Sequence, residues 1–358
     1  MKSLNNTDLP DLVQQIREEA AELQEKPRFM EVCGTHTVAI FRNGIHSLLE
    51  GCVELVSGPG CPVCVTPDQQ IDTAIAYARQ GHVLASFGDM LRVPGTLSSL
   101  LAERAAGAAV QVVTSPLEVL TIAKDQPDKQ VLFFAVGFET TTPGTALLLE
   151  RARAEKVENI KLIMAHKVIP PAMETLLNDA RQRISGFLCP GHVASIIGVA
   201  PFEKISLKYQ IPSVVAGFEG RDILLAVRML IRQIKEGRIE AENQYRRGVK
   251  PEGNPRALQL MAKYFETADS AWRGFDNIGR SGLNLRPEYR NWDALYSIPV
   301  EMVTSQPVKG CCCGQVLQGI ITPRQCQLFG NACTPQTPVG PCMVSGEGAC
   351  LAHYRYGE

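Results

Sequence analysis

The stretch Gly58-Pro59-Gly60-Cys61-Pro62-Val63-Cys64 constrains this chain more than any other. An apolar run from Val53 to Val56 precedes it and reads as a buried strand, and Thr66-Pro67-Asp68-Gln69 follows and reads as a helix start. In that reading Thr66 is the N-cap, Pro67 takes the first helical position and Gln69 completes a capping box. Two thiols are then held on a glycine-rich turn between a strand end and a helix N-terminus. Free backbone N–H groups and the helix dipole at such a place favour thiolate, so a lowered cysteine pKa is expected. The pair reads as a redox dithiol or metal-handling site; the competing reading is two small buried apolar residues.

Cys33 stands in the same kind of position. Phe29-Met30-Glu31-Val32 reads as a short strand that ends in Cys33-Gly34-Thr35-His36-Thr37, ahead of a helical pattern through Ile40, Phe41 and Ile45. In open α/β sheets that edge is where ligands bind. His36 is a candidate proton donor, metal ligand or positive charge beside the Cys33 thiolate, against the plainer reading of a structural histidine.

The chain has 358 residues, 45% of them apolar, which is enough for two or three domains with real cores. A net charge of −1 gives no electrostatic reason to expect nucleic acid or a membrane surface as partner. The N-terminal residues are polar and amphipathic, and no uninterrupted apolar run is long enough to span a bilayer. Twelve cysteines without an export signal argue for metal ligands or redox groups in a reducing cytoplasm rather than a disulfide framework.

Further strands are expected at Val83–Phe87, Val110–Val113, Val131–Val136, Ile160–Met164 and Ile184–Leu188, alternating with helices. Val131–Val136 empties into Gly137-Phe138-Glu139-Thr140-Thr141-Thr142, a polar pocket wall, and the strand at 184–188 into Cys189-Pro190-Gly191-His192. An offset of 131 residues maps Pro59-Gly60-Cys61 onto Pro190-Gly191-His192, Val83–Phe87 onto Val214–Phe218 and Phe29–Val32 onto Ile160–Ile163. The fold class is therefore α/β: two similar lobes with parallel sheets, 28–125 and 126–238, the first holding Cys33 and the Cys61/Cys64 dithiol. Under this reading the second lobe has lost the dithiol and supplies Glu139, His192 and Glu219 across a cleft. A helix within residues 1–27 and a third, mostly irregular or helical domain at 239–358 complete the chain; the former is expected to pack on the latter. The third domain shows no strand pattern before Val300. Its last segment carries Cys311, Cys312, Cys313, Cys326, Cys333, Cys342 and Cys350 among Pro and Gly turns, a metal-site pattern. Spacings of 12, 6 and 16 residues for Cys313, Cys326, Cys333 and Cys350 suit an iron–sulfur cluster better than zinc knuckles, with zinc as the alternative and three of the seven cysteines left over.

Cys33-Gly-Thr-His-Thr, Gly58-Pro-Gly-Cys-Pro-Val-Cys64, Gly137-Phe-Glu-Thr-Thr141, Pro190-Gly-His-Val193, Cys326-Gln-Leu-Phe-Gly-Asn-Ala-Cys333 and Met343-Val-Ser-Gly-Glu-Gly-Ala-Cys350 together resemble the HypD family of hydrogenase maturation proteins. The resemblance runs nearly end to end. It implies a scaffold for the Fe(CN)2CO group of [NiFe]-hydrogenases, with that group as a transient bound intermediate, a HypC-type small chaperone as partner and a HypE-type cyanide donor. It also implies a [4Fe–4S] cluster on Cys313, Cys326, Cys333 and Cys350, with Cys311, Cys312 or Cys342 as substitutes, Cys33 as the thiolate that holds iron, and Cys61 with Cys64 as redox dithiol. His36, Glu139 and His192 are expected to hydrogen-bond cyanide nitrogens or relay protons. The rival readings are a self-contained thiol–disulfide oxidoreductase with a structural metal cluster and a zinc-stabilised interaction protein.

Overall fold

The computed structural model describes residues 9–301, 304 and 309–357; the first eight residues of the expected N-terminal segment lie outside it. Nine parallel strands build two sheets. They are β1 Arg28–Glu31, β2 Glu54–Ser57, β3 Val83–Phe87, β4 Val110–Val113, β5 Val131–Gly137, β6 Ile160–His166, β7 Gly186–Pro190, β8 Ser213–Ala216 and β9 Ala241–Asn243. The first sheet runs in the order β2-β1-β7-β8-β9 and the second in the order β4-β3-β5-β6. Helices cover both, as parallel strands buried on two faces require. β5 is buried at all seven positions.

The expected division near residue 125 does not separate the sheets. Val83–Phe87 pairs with the strand that begins at Val131, and Phe29 pairs with Gly186. The chain starts one sheet with two strands, builds the whole of the other, and returns. Three of the four strand pairs matched by the 131-residue offset nevertheless take equivalent places: β1-β7-β8-β9 corresponds to β6-β5-β3-β4, with β1 on β6, β8 on β3 and β9 on β4, whereas the fourth pair, β2 and β7, lies in one sheet on either side of β1. The place between is taken by β7 in one sheet and β5 in the other. The repeat is real at the level of layout, but its two halves share their strands across the two sheets.

Two more expectations change in the peripheral elements. The N-terminal helix, Leu9–Ala21, packs on the helix Gly220–Glu236 rather than on the cysteine-rich segment. Its Leu12, Ile16 and Ala20 enter the core beside Ile223, Val227 and Leu230, and Glu19 accepts from both Arg228 and Arg232 at 2.8 Å. The region after residue 239 also contains an antiparallel hairpin, β10 Phe265–Ala271 and β11 Asn277–Leu285. Most β10 side chains face solvent, so the strand lacks the apolar alternation that would reveal it. The hairpin meets the second sheet through a bridge between Gly282 and Lys167.

One continuous apolar core contains residues of both sheets together with Cys61, Cys64, Trp272, Cys313, Cys333, Cys342 and Cys350. The C-terminal cysteine segment is thus packed into the α/β body.

Candidate metal and thiol site

Cys33 lies one residue beyond Val32, at the C-terminal end of the first sheet, and is the N-cap of the helix Gly34–Arg42. Cys61 is likewise the N-cap of a short helix, Pro62–Val65, and its sulfur accepts from the Cys64 N–H at 3.2 Å. This differs from the expected capping box. Thr66 ends that short helix, its hydroxyl donates to the Pro62 carbonyl, and Pro67 precedes the next helix without a side-chain cap. The helix mouth has moved onto the dithiol itself.

Gly60 lets the two loops meet. Its carbonyl accepts from the Gly34 N–H at 3.0 Å, and a Cβ there would lie 2.1 Å from the Cys33 nitrogen. Cys33 and Cys61 therefore sit on adjoining turns, each at the strand end and helix mouth read from the sequence. Glu31 holds the first turn from beneath: it accepts from the Cys33 N–H at 2.9 Å and from the Thr37 hydroxyl. A segment with no role assigned from the sequence closes the site. Ser345 accepts from Cys61 at 3.4 Å and donates to Asp89 at 3.2 Å, while Glu347 accepts from Thr35 at 2.7 Å. Ser345 and Glu347 belong to a run already singled out as a motif, which was their only signal.

Cys33 and Cys64 are raised in pKa, against the expected direction. Burial pushes Cys33 up to about 12, helped by the negative charge of Glu347; the N–H groups of His36 and Thr35 act in the expected direction and are outweighed. Burial also raises Cys64. Desolvation in this core exceeds the helix-terminus effect. A thiolate here requires a partner that replaces the lost solvation, and a soft metal ion does that most directly.

His36 is buried, and its Nε2 faces the carbonyls of Ala216 at 3.2 Å and Gly217 at 3.0 Å. That nitrogen must carry the proton, and burial lowers the ring pKa to about 4, so His36 is neutral and supplies no positive charge to Cys33. Nδ1 has no partner. Phe218 stacks between His36 and His192, with centroids 4.8 and 3.7 Å away. Two predicted residues are thus brought together, through an aromatic ring the sequence reading passed over. Glu139 and Glu219 are placed elsewhere. Glu139 is buried, accepts from the Ile169 N–H at 3.0 Å, and has no hydrogen bond to Cys33, Cys61 or Cys64 among the described residues. Glu219 caps the helix Gly220–Glu236 through a capping box with Asp222.

Six cysteines, 311, 312, 313, 326, 333 and 350, line one cavity with Val316, Leu328, Phe329 and Met343. Gly340 closes it: a Cβ there would lie 2.6 Å from the Cys311 sulfur and 2.7 Å from that of Cys313. The donor set is all sulfur. Among the described residues no three His, Cys, Asp or Glu side chains gather as a site for a single ion. Thiols around one cavity are the donor type of an iron–sulfur cluster, which takes four thiolates, and equally of a four-cysteine zinc site. All three members of the 311–313 triplet line the cavity, so geometry does not single out Cys313 as the first ligand. Cys313 differs from its neighbours in also lying beside Cys342. Cys342 is fully buried outside the cavity lining, beside the thiols of Cys313, Cys350 and Cys64 that perturb it. A line of sulfur therefore runs from Cys61 through Cys64 and Cys342 to the cavity.

Among the described residues no helix is long and apolar enough to cross a membrane. The family model of HypD, described as "Hydrogenase formation hypA family", matches residues 8–357. The chain is 46% identical over 339 residues to the hydrogenase expression/formation protein HupD of Azotobacter chroococcum mcd 1, covering 92% of this chain and 89% of that one. It is 44% identical over 353 residues to the hydrogenase maturation factor HypD of Escherichia coli K12, covering 96% and 94%. The chain belongs to the HypD family of hydrogenase maturation factors.

Proposed function

We propose that this chain is the scaffold on which the Fe(CN)2CO group of [NiFe]-hydrogenases is assembled. The iron is the cargo and Cys33 holds it. The line of sulfur from Cys61 and Cys64 through Cys342 to the six-cysteine cavity, ending beside Cys33, carries this reading. Freeing cyanide from a thiocyanate-type donor takes two electrons: R–S–CN accepts the pair, the S–C bond breaks, and thiolate and cyanide result. Oxidation of Cys61 and Cys64 to a disulfide supplies that pair and releases two protons. Ser345 and Asp89 offer the Cys61 proton a route outward. Cys326, Cys333, Cys350 and one member of the 311–313 triplet would hold a [4Fe–4S] cluster, which supplies electrons one at a time when bound. A HypC-type chaperone would complete the iron site and a HypE-type protein would bring the cyanide. Burial of Cys61 and Cys64, 3% and 0% exposed, weighs against a general oxidoreductase acting on protein thiols.

Anaerobic purification with the chaperone partner, followed by iron and sulfide analysis and infrared spectra in the metal-bound CO and cyanide region, tests this. The expected result is about four irons and four sulfides per chain, with surplus iron and with CO and cyanide bands that vanish in Cys33→Ala while the cluster absorbance stays. Zinc in place of iron, with no bands, overturns it.

A further inference from the structure

A second site lies away from the sulfur. The helices Ile169–Leu177 and Pro255–Tyr264 and the β10–β11 hairpin enclose an open cavity of about 980 Å³, at the upper end of the usual range for small-molecule sites. Its walls are apolar, with Phe265, Ile278 and Leu283 from the hairpin. Glu139 reaches it from the end of β5 and is 2% exposed. One carboxyl oxygen is used by the Ile169 N–H; the other, Oε2, is buried without any hydrogen-bond partner. An orphaned buried oxygen of this kind carries a desolvation penalty that a donor placed against it would relieve. Arg280 and Arg286 also line the cavity, and neither guanidinium has a carboxylate partner among the described residues. Of the acidic residues there, Glu174 is engaged by Lys208 and Tyr209, and Glu266 is exposed at the mouth.

We propose that this cavity binds a small amphipathic organic anion, with an N–H of its head group on Glu139 Oε2, an apolar body against the hairpin and its negative charge on Arg280 and Arg286. The Ile169 contact alone would make Glu139 a brace for the start of its helix. That role needs a single acceptor oxygen and leaves the orphaned Oε2 and the Arg280 guanidinium unused, while Arg286 donates from Nε to the Ala262 carbonyl at 2.7 Å.

The test uses the full chain and 8-anilinonaphthalene-1-sulfonate, a probe with an aromatic body, an anilino N–H and a sulfonate. Fluorescence titration is expected to show one saturable site. Glu139→Gln keeps an acceptor for the Ile169 N–H but presents an amide donor where Oε2 stood, so it should weaken binding roughly tenfold, equal to about 1.4 kcal/mol. Arg280→Glu, at an exposed position, should do at least as much, with near-ultraviolet circular dichroism unchanged in both. Absence of a saturable site, or one-site binding that neither substitution alters, overturns the proposal.

Discussion

Lys167 follows β6 with its ammonium inside the protein, where it donates to the Ser270 hydroxyl at 2.8 Å and the Ala271 carbonyl at 2.7 Å, over the ring of Trp272. Burial lowers its pKa from 10.5 to about 7. Between those values the unfolded chain binds a proton that the folded chain does not, so this group makes stability rise with pH across that window. The slope is at most about 1.4 kcal/mol per pH unit. Lys167→Met keeps much of the volume and removes the titration. Urea unfolding of reduced protein at pH 7, 8 and 9 should show the wild type gaining on the variant with each step; a constant difference would mean that Lys167 stays charged in the fold. The cysteines obey the same physics. The sequence supports the idea of sulfurs at helix mouths, which proved right in position. It contains nothing about how deeply the C-terminal segment would bury them, and burial reversed the expected pKa direction at Cys33 and Cys64.

At the scale of elements, the contact between the β1 and β2 loops depends on Gly60. Alanine there would put a Cβ 2.1 Å from the Cys33 nitrogen and 2.3 Å from its Cα, both backbone atoms that cannot swing aside. Gly60→Ala should therefore separate Cys33 from Cys61 at a stability cost of about 1–3 kcal/mol, as other overpacking changes do. We expect it to abolish iron loading at Cys33 while the C-terminal cysteine cavity still assembles its chromophore. Undiminished loading would show that Cys61 plays no part in the iron site. Strands such as β5 were readable because they are buried on both faces and carry continuous apolar runs. Their partition between sheets was not, because parallel pairing at long separation leaves no local mark: nothing near Val83 says that it will pair with Val131. The β10–β11 hairpin escaped notice for the opposite reason, since its residues face solvent and carry little apolar signal. Glu139 was read as part of the cleft on the strength of its strand end, and the hairpin that was missed is what encloses it in another cavity.

For the whole molecule, the question is why a C-terminal segment with seven cysteines is folded into the core of an α/β body. Cys342 gives the answer. Its sulfur lies between both systems, with Cys64 on one side and Cys313 and Cys350 on the other. On the proposed reading, with Cys61 and Cys64 joined as a disulfide, Cys342 attacks the Cys64 sulfur: a Cys64–Cys342 bond forms, the Cys61–Cys64 bond breaks, and Cys61 leaves as a thiol that takes the Cys342 proton. Cys313 then attacks Cys342, which closes a Cys313–Cys342 disulfide and frees Cys64. Two thiols are oxidised, one disulfide is reduced, and the dithiol is ready again. The first exchange can be caught in metal-free protein by removing the native partner of Cys64. In Cys61→Ser, mild oxidation should join Cys64 to Cys342, seen by peptide mass mapping without reduction, and adding Cys342→Ala should leave Cys64 as a free thiol. Cys64 is fully buried, so random pairing with distant cysteines is sterically closed to it in the folded chain. If Cys64 stays unpaired in Cys61→Ser while Cys342 pairs with Cys313 alone, the two sulfur systems do not exchange. The segment would then serve the core only as packing.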